Sequence, residues 1–138
     1  MNAPEVPGTD GSTMDSLFAA EEARKSNLLL EAQLLRAERR TDEAAVRFAQ
    51  AAEIEERLGE ACQVRGLRAE SWLHRFSAAG CWAQAGNFHQ AITLGEELLA
   101  EADLSPRLRR RVEEYTGVLR RRREQWSVGL ASVPAGGE

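Results

Sequence analysis

Two histidines and two cysteines are the side chains best suited to metal binding or nucleophilic catalysis: His74, His89, Cys62 and Cys81. The four could in principle bind one metal ion, but no short Cys-x-x-Cys or His-x-x-x-His spacing preorganises a site. A Cys–His nucleophile needs an activated thiolate beside an imidazole, whereas both cysteines fall on helix faces that we assign to packing. We therefore expect no metal ion and no other cofactor, and we expect both thiols to be buried.

An acidic group is the second candidate for chemistry, because paired carboxylates can act as general acid and base. Glu53, Glu55, Glu56 and Glu60 follow one face of a predicted helix and its edges, where a solvated acidic surface is the commoner outcome. The group could also attract an Arg-rich partner. The sequence has no Gly-rich phosphate loop, no GxSxG motif and no HExxH motif. We predict no catalytic residue and interpret the protein as not an enzyme.

The charge is unevenly distributed. Residues 1–60 carry 7 basic and 13 acidic side chains, whereas residues 106–138 carry 8 and 4. Arg120 to Arg123 are consecutive and occupy the whole circumference of a helix, so one or two of them must point toward its apolar side. Either the helix projects beyond the bundle there, or the arginines contact an acidic partner protein or nucleic acid. A pI near 5.4 and the lack of interleaved aromatic residues disfavour nucleic acid.

Tryptophans beside arginines add to this candidate surface, since exposed Trp and Arg residues are common interface anchors. Trp82 is predicted to lie in the core, whereas Trp72 and Trp126 are predicted to be partly exposed. The predicted partner-binding residues are Trp72, Arg75, Arg109, Arg110, Arg120, Arg121, Arg122, Arg123 and Trp126.

Helices must position all of these residues, because Ala, Leu, Glu, Arg and Gln dominate the composition and strand-forming residues are scarce. Apolar residues recur at spacings of three, four and seven. Helices are predicted over 15–40, 42–58, 61–85, 88–102 and 106–126. Cys62 and Cys81 then share the third helix, about 28 Å apart, and cannot pair.

Capping residues mark the helix boundaries. Thr41 is predicted as an N-cap, Gly59 as the residue that follows the second helix, and Gly86 as a left-handed turn residue. Ser105 followed by Pro106 is a strong helix start. We predict one all-α domain over 15–126, with two antiparallel hairpins and a C-terminal capping helix, between mobile tails at 1–14 and 127–138.

The segment AAGCWAQAGNFHQAITLGEELLAEADLSP, residues 78–106, resembles one tetratricopeptide repeat. Its Ala79, Trp82, Gly86, Phe88 and Ala91 match that family's pattern of small, aromatic and turn residues. The first hairpin fits less well, because it lacks the turn glycine and lies further from the second hairpin than the family's period of about 34 residues. A HEAT-like or irregular hairpin array remains an alternative.

The resemblance implies stacked hairpins with a binding surface lined by the first helix of each hairpin. We expect a non-catalytic protein–protein interaction module, an adaptor or accessory subunit that binds another protein or a second copy of itself. The alternative is a nucleic-acid-associated regulatory protein that uses the Arg-rich last helix. No signal peptide and no long apolar segment occurs, so we expect a cytoplasmic protein with no membrane partner.

Overall fold

The computed structural model describes the backbone of residues 5–131 and the side chains of residues 15–129. Five helices make up this range: α1 (Glu5–Ala37), α2 (Thr41–Val64), α3 (Arg68–Gln84), α4 (Phe88–Leu99) and α5 (Pro106–Ala131). No strand occurs within the described residues, and each helix packs on the next one along the chain. The predicted all-α fold is confirmed, with the helices arranged as consecutive hairpins.

Three short turns of one type join the first four helices. In each turn the backbone N–H of the third residue after the helix donates to a carbonyl in the last helical turn: Arg40 to Leu35 at 2.9 Å, Leu67 to Cys62 at 2.8 Å and Asn87 to Trp82 at 2.9 Å. This is the Schellman arrangement, which places the preceding residue in the left-handed region. Those residues are Arg39, Gly66 and Gly86, with φ of 63°, 78° and 85°.

Arg39 is therefore the one turn residue of the three that carries a side chain into the left-handed region, where a Cβ costs about 1–2 kcal/mol. We expect Arg39→Gly to raise the free energy of unfolding by about 0.5–1 kcal/mol, after the greater flexibility of the unfolded glycine chain is subtracted. Urea denaturation measures the change. Arg40→Gly is the control and should destabilise, because Arg40 has φ of −92° and pairs with Glu43 at 2.6 Å.

The predicted boundary between the second and third helices is wrong. Helix α2 continues through Gly59 to Val64, and Gly66 is the turn residue. Gly59 instead allows α3 to approach closely, since a Cβ there would lie 3.2 Å from Arg75 Cγ and 3.3 Å from the Ser71 carbonyl oxygen. The Ser71 hydroxyl donates a hydrogen bond to the Gly59 carbonyl at 2.7 Å. Cys62 consequently belongs to α2, not to the helix of Cys81.

Of three other predicted helix boundaries, the structure confirms one and corrects two. The N-cap of α2 is Arg40, which makes no side-chain capping bond, and Thr41 is the first residue of the helix. The start of α5 is as predicted, because Pro106 is its first residue and the Ser105 hydroxyl accepts from the Leu108 N–H at 3.2 Å. Helix α4 ends at Leu99, before the predicted 102.

Both terminal helices are longer than predicted. Helix α1 begins at Glu5 and α5 continues to Ala131, so each enters a segment that we assigned to a mobile tail. Residues 1–4 and 132–138 lie outside the described residues, and the mobility of the tails stays a prediction.

Small residues hold the helices close together. Ala32, Ala44, Ala51, Ala79 and Ala91 are each at most 2% exposed. Larger apolar side chains fill the space around these close approaches. Helix α5 packs on α3 and α4 through a further cluster of Leu98, Leu104, Leu108 and Val112.

In the part of the chain that the structure describes, none of the helices combines the length and the apolar character needed to cross a lipid bilayer.

Candidate partner-binding surfaces

The last part of α5 extends beyond the rest of the protein. Leu119 is 1% exposed, and within the range whose side chains the structure describes, 15–129, it is the last buried residue, since Arg120 to Gly129 are all exposed. Trp126 is 66% exposed and Val128 is 67% exposed. We call residues 120–131 the α5 extension. Projection of the helix beyond the bundle, one of the two expected explanations of the four arginines, is what the structure shows.

The arginines of the α5 extension differ in their partners. Arg120 donates from Nη2 to Glu96 Oε2 at 2.5 Å, so a glutamate of α4 binds it. Among the described residues, no carboxylate pairs with Arg121, Arg122 or Arg123. These three side chains therefore carry positive charge that no described carboxylate pairs with, and Arg122 and Arg123 precede the exposed Trp126 by about one helical turn.

The other predicted partner-binding residues lie elsewhere. Arg109 donates to the carbonyl oxygens of Leu99 and Glu101 at 2.9 and 2.7 Å, and so satisfies the C-terminal end of α4. Arg110 is exposed on α5. Trp72 is half-buried against the α4–α5 cluster, with the Arg68 guanidinium 5.4 Å from its ring centroid.

Arg75 donates to the Gln63 side chain and belongs to a different surface. This surface is a groove of about 1010 Å³ between α2 and α4 with α3 as its floor, and we call it the acidic groove. Four glutamates line it: Glu53, Glu56, Glu60 and Glu97. The acidic residues come from the second helix of each hairpin, whereas the family resemblance implied a surface of first helices.

A hydrogen-bonded tryptophan fixes the floor of the acidic groove. Trp82 Nε1 donates to Glu56 Oε2 at 2.5 Å, and the Gln90 side chain donates to the same oxygen at 3.3 Å. Glu56 is therefore held in place, while Glu53, Glu60 and Glu97 remain exposed. The groove therefore presents one carboxylate at a fixed position and three exposed ones, while Arg57 and Arg75 also line it.

A buried ionic cluster joins α1, α2 and α3. Glu55 is only 4% exposed, and its carboxylate lies 2.7 Å from His74 Nδ1 and 3.4 Å from Lys25 Nζ. Lys25 also pairs with Glu22 at 2.8 Å, and Phe18 packs edge-on against the His74 ring. The expectation that Glu55 belongs to a solvated acidic surface is wrong.

Sequence periodicity contained the signal for this cluster. Glu55 follows Ala51 and Ala52 and precedes Leu58 at the spacing of the apolar stripe on α2. Burial disfavours the charged form of Lys25, but the hydrogen bond that Lys25 donates to Glu22 and the charges of Glu55 and Glu22 outweigh it, so the pKa of Lys25 is raised. The cluster is a charged contact between three helices.

The cysteines are buried, as predicted. Cys62 and Cys81 are free and are 3% and 8% exposed. Burial, with a smaller contribution from Glu55, raises the pKa of Cys81 to about 11, and burial also raises the pKa of Cys62. Both are therefore neutral thiols near pH 7.

The two histidines lie in different surroundings, since His89 is exposed while His74 bonds to Glu55. The described side chains contain no group of three or more that could hold a metal ion.

Comparison of the chain with known protein families, curated proteins and solved structures finds no match in any of the three. The resemblance to tetratricopeptide repeats accordingly stays a prediction.

Proposed function

We propose that this protein is a non-catalytic interaction module, an adaptor or accessory subunit that binds a partner protein through the α5 extension. The observation that carries the proposal is that α5 continues to Ala131, although among its described side chains Leu119 is the last that is buried. From Arg121 to Val128 every side chain is exposed, so this segment of the helix leaves apolar surface such as the Trp126 ring in water. A partner that packs on the extension would bury that surface.

The chemistry of the extension indicates an acidic partner with an apolar pocket. Arg121, Arg122 and Arg123 provide guanidinium groups for bidentate contacts with carboxylates. Trp126 provides a large apolar ring, and tryptophan and arginine are the residues that most often dominate binding energy at interfaces. The burial and raised pKa of Cys62 and Cys81 support a non-catalytic role, since neither thiol is an activated nucleophile.

Nucleic acid is supported less well. Arg109 and Arg120 are engaged within the protein, and Glu113, Glu114 and Glu124 are exposed on the same helix. A phosphate-binding surface would gain from uninterrupted positive charge and several stacking aromatics. A cytoplasmic location belongs to the present proposal, and two free thiols fit a reducing compartment.

The test uses a charge reversal on the extension. We expect Arg121→Glu with Arg122→Glu to weaken partner binding by about tenfold or more, because like charges then face the acidic partner. The helical circular dichroism signal should not change, since both side chains are exposed. The tagged protein is used to capture its partner from the native host, and calorimetry then measures the affinity of the purified pair.

Arg39→Glu with Arg107→Glu is the matched control, because it reverses the same number of charges at exposed positions outside the extension. The control should bind normally. Equal binding by the extension variant would contradict the proposal. Capture of nucleic acid, with an affinity that falls steeply as salt is added, would instead establish the alternative.

A further inference from the structure

The outward side of α1 carries a second regular stripe, opposite the side that packs in the core. Its members follow one another at alternating steps of four and three residues, and each of them is exposed. We call them the α1 seam: Ser16, Ala20, Ala23, Asn27, Leu30, Leu34 and Ala37. Leu30 and Leu34 are 59% and 57% exposed. Alternating steps of three and four are the a/d spacing of a coiled coil.

The seam contains no charged side chain, although exposed Arg24, Glu31 and Glu38 lie beside it on one side. Its N-terminal half presents small side chains at Ala20 and Ala23, and its C-terminal half presents large ones at Leu30 and Leu34. A monomer leaves the seam in water along more than four helical turns. Exposed leucines in register on one helix face mark an interaction site.

We propose that the α1 seam pairs with the α1 seam of a second copy of this protein, antiparallel, to form a twofold-symmetric dimer. An interface of this symmetry must be complementary to itself. Antiparallel pairing places Ala23 opposite Leu34 of the second copy and Asn27 opposite Leu30 of the second copy, so a smaller side chain faces a leucine in the four central layers. At each end of the seam Ala20 faces Ala37. Parallel pairing would place alanine against alanine and leucine against leucine, which varies the helix separation along the seam.

Charges beside the seam select the same orientation. Arg24 and Glu31 follow the seam on one side, at equivalent positions of successive heptads, while Ala19, Ser26 and Gln33 on the other side are uncharged. Antiparallel helices bring like sides together, which gives two Arg24–Glu31 pairs related by symmetry. Parallel helices would bring the charged side against the uncharged side and form no such pair.

These side chains are available for the contact. Among the described residues Arg24 has no ion-pair partner. Glu31 accepts from Arg47 Nε through Oε1 at 3.0 Å, and its second oxygen can accept from a further guanidinium. Asn27 lies in the middle of the seam, and a single polar residue at such a position fixes the register of a coiled coil.

The dimer leaves the α5 extension of each copy accessible, so it would present two extensions to partners. Two linked sites raise the apparent affinity for a partner that carries two binding segments. The dimer does not depend on the function proposed for the extension, because the two surfaces share no residue.

The solution mass of the intact chain tests the association. Sedimentation velocity at increasing concentration should show the 15.3 kDa monomer giving way to a species of twice that mass. We expect Leu30→Glu with Leu34→Glu to raise the dimer Kd by about a hundredfold or more, since four carboxylates would enter the seam. Val46→Glu with Leu73→Glu is the matched control, at positions 51% and 52% exposed, and should dimerise normally.

Cysteine cross-linking tests the orientation. A mixture of the Ala20→Cys and Ala37→Cys variants should form a mixed disulfide, whereas the Ala37→Cys variant alone should not, because its two cysteines would lie about 25 Å apart along antiparallel helices. Native Cys62 and Cys81 are buried and give little background. Arg24→Glu should weaken the dimer, and Arg24→Glu with Glu31→Arg should restore it. A monomer at every concentration, or efficient cross-linking of Ala37→Cys with itself, overturns the proposal.

Discussion

Replacement of Lys25 by Met is expected to lower the free energy of unfolding by about 3 kcal/mol, because it leaves the buried Glu55 carboxylate without its ammonium partner. Among the described side chains, His74 remains as the hydrogen-bond partner of Glu55, at 2.7 Å. Methionine keeps the length of the lysine stem, so packing against α2 changes little. Urea denaturation of both proteins, analysed with the same m-value, measures the change in free energy of unfolding.

A second substitution separates charge from packing in this prediction. Lys25→Met with Glu55→Gln removes both charges and keeps a side chain that can bond to His74, so most of the lost stability should return. Arg57→Met is the surface control. It breaks the exposed pair with Glu21 at 2.9 Å and should cost less than about 1 kcal/mol. Equal losses for Lys25→Met and Arg57→Met would show that the buried cluster is not a stabilising contact.

The pH dependence follows from the raised pKa of Lys25. A group whose pKa is higher in the folded protein than in the unfolded chain contributes stability below its ordinary pKa, here 10.5, and loses it as the pH rises through the folded value. The difference in free energy of unfolding between the native protein and the Lys25→Met variant should therefore be constant from pH 7 to 9.

The elements most accurately predicted from the sequence are those with redundant local signals. The start of α5 combines an N-cap serine with a proline, and the turn before α4 combines Gly86 with Asn87. The boundary at Gly59 failed because a glycine that permits close helix packing cannot be distinguished locally from one that ends a helix. The difference lies in Ser71 and Arg75 of the neighbouring helix, and no local pattern contains that contact.

Local sequence patterns also predict the candidate binding surfaces only in part. Projection of the helix at Arg120 to Arg123 is one of the alternatives that the sequence indicates, since four consecutive arginines cannot all be buried, but the sequence predicts a helix that ends at 126. The acidic groove does not follow, because Glu53 and Glu97 lie far apart in the chain and only the packing of α2 and α4 on α3 brings them to one groove. The burial of Glu55 also depends on Lys25 and His74 from two other helices.

Replacement of Ala91 by Trp should lower the free energy of unfolding by about 3 kcal/mol or more, at or beyond the upper end of the range for overpacking. Ala91 is 1% exposed and belongs to the cluster that includes Ala78 and Ala79. An indole fits there only if α4 separates from α3, which would also disturb the close contact between α4 and α5 at Gly95 and Thr116.

His89→Trp is the control, since it introduces the same ring two positions earlier at an exposed site of the same helix. It should change stability by less than about 0.5 kcal/mol. Thermal unfolding followed by circular dichroism compares the two variants. A small residue at this position is what allows the α3–α4 hairpin to close, so a tolerated tryptophan at 91 would mean that α3 and α4 do not pack backbone to backbone as described.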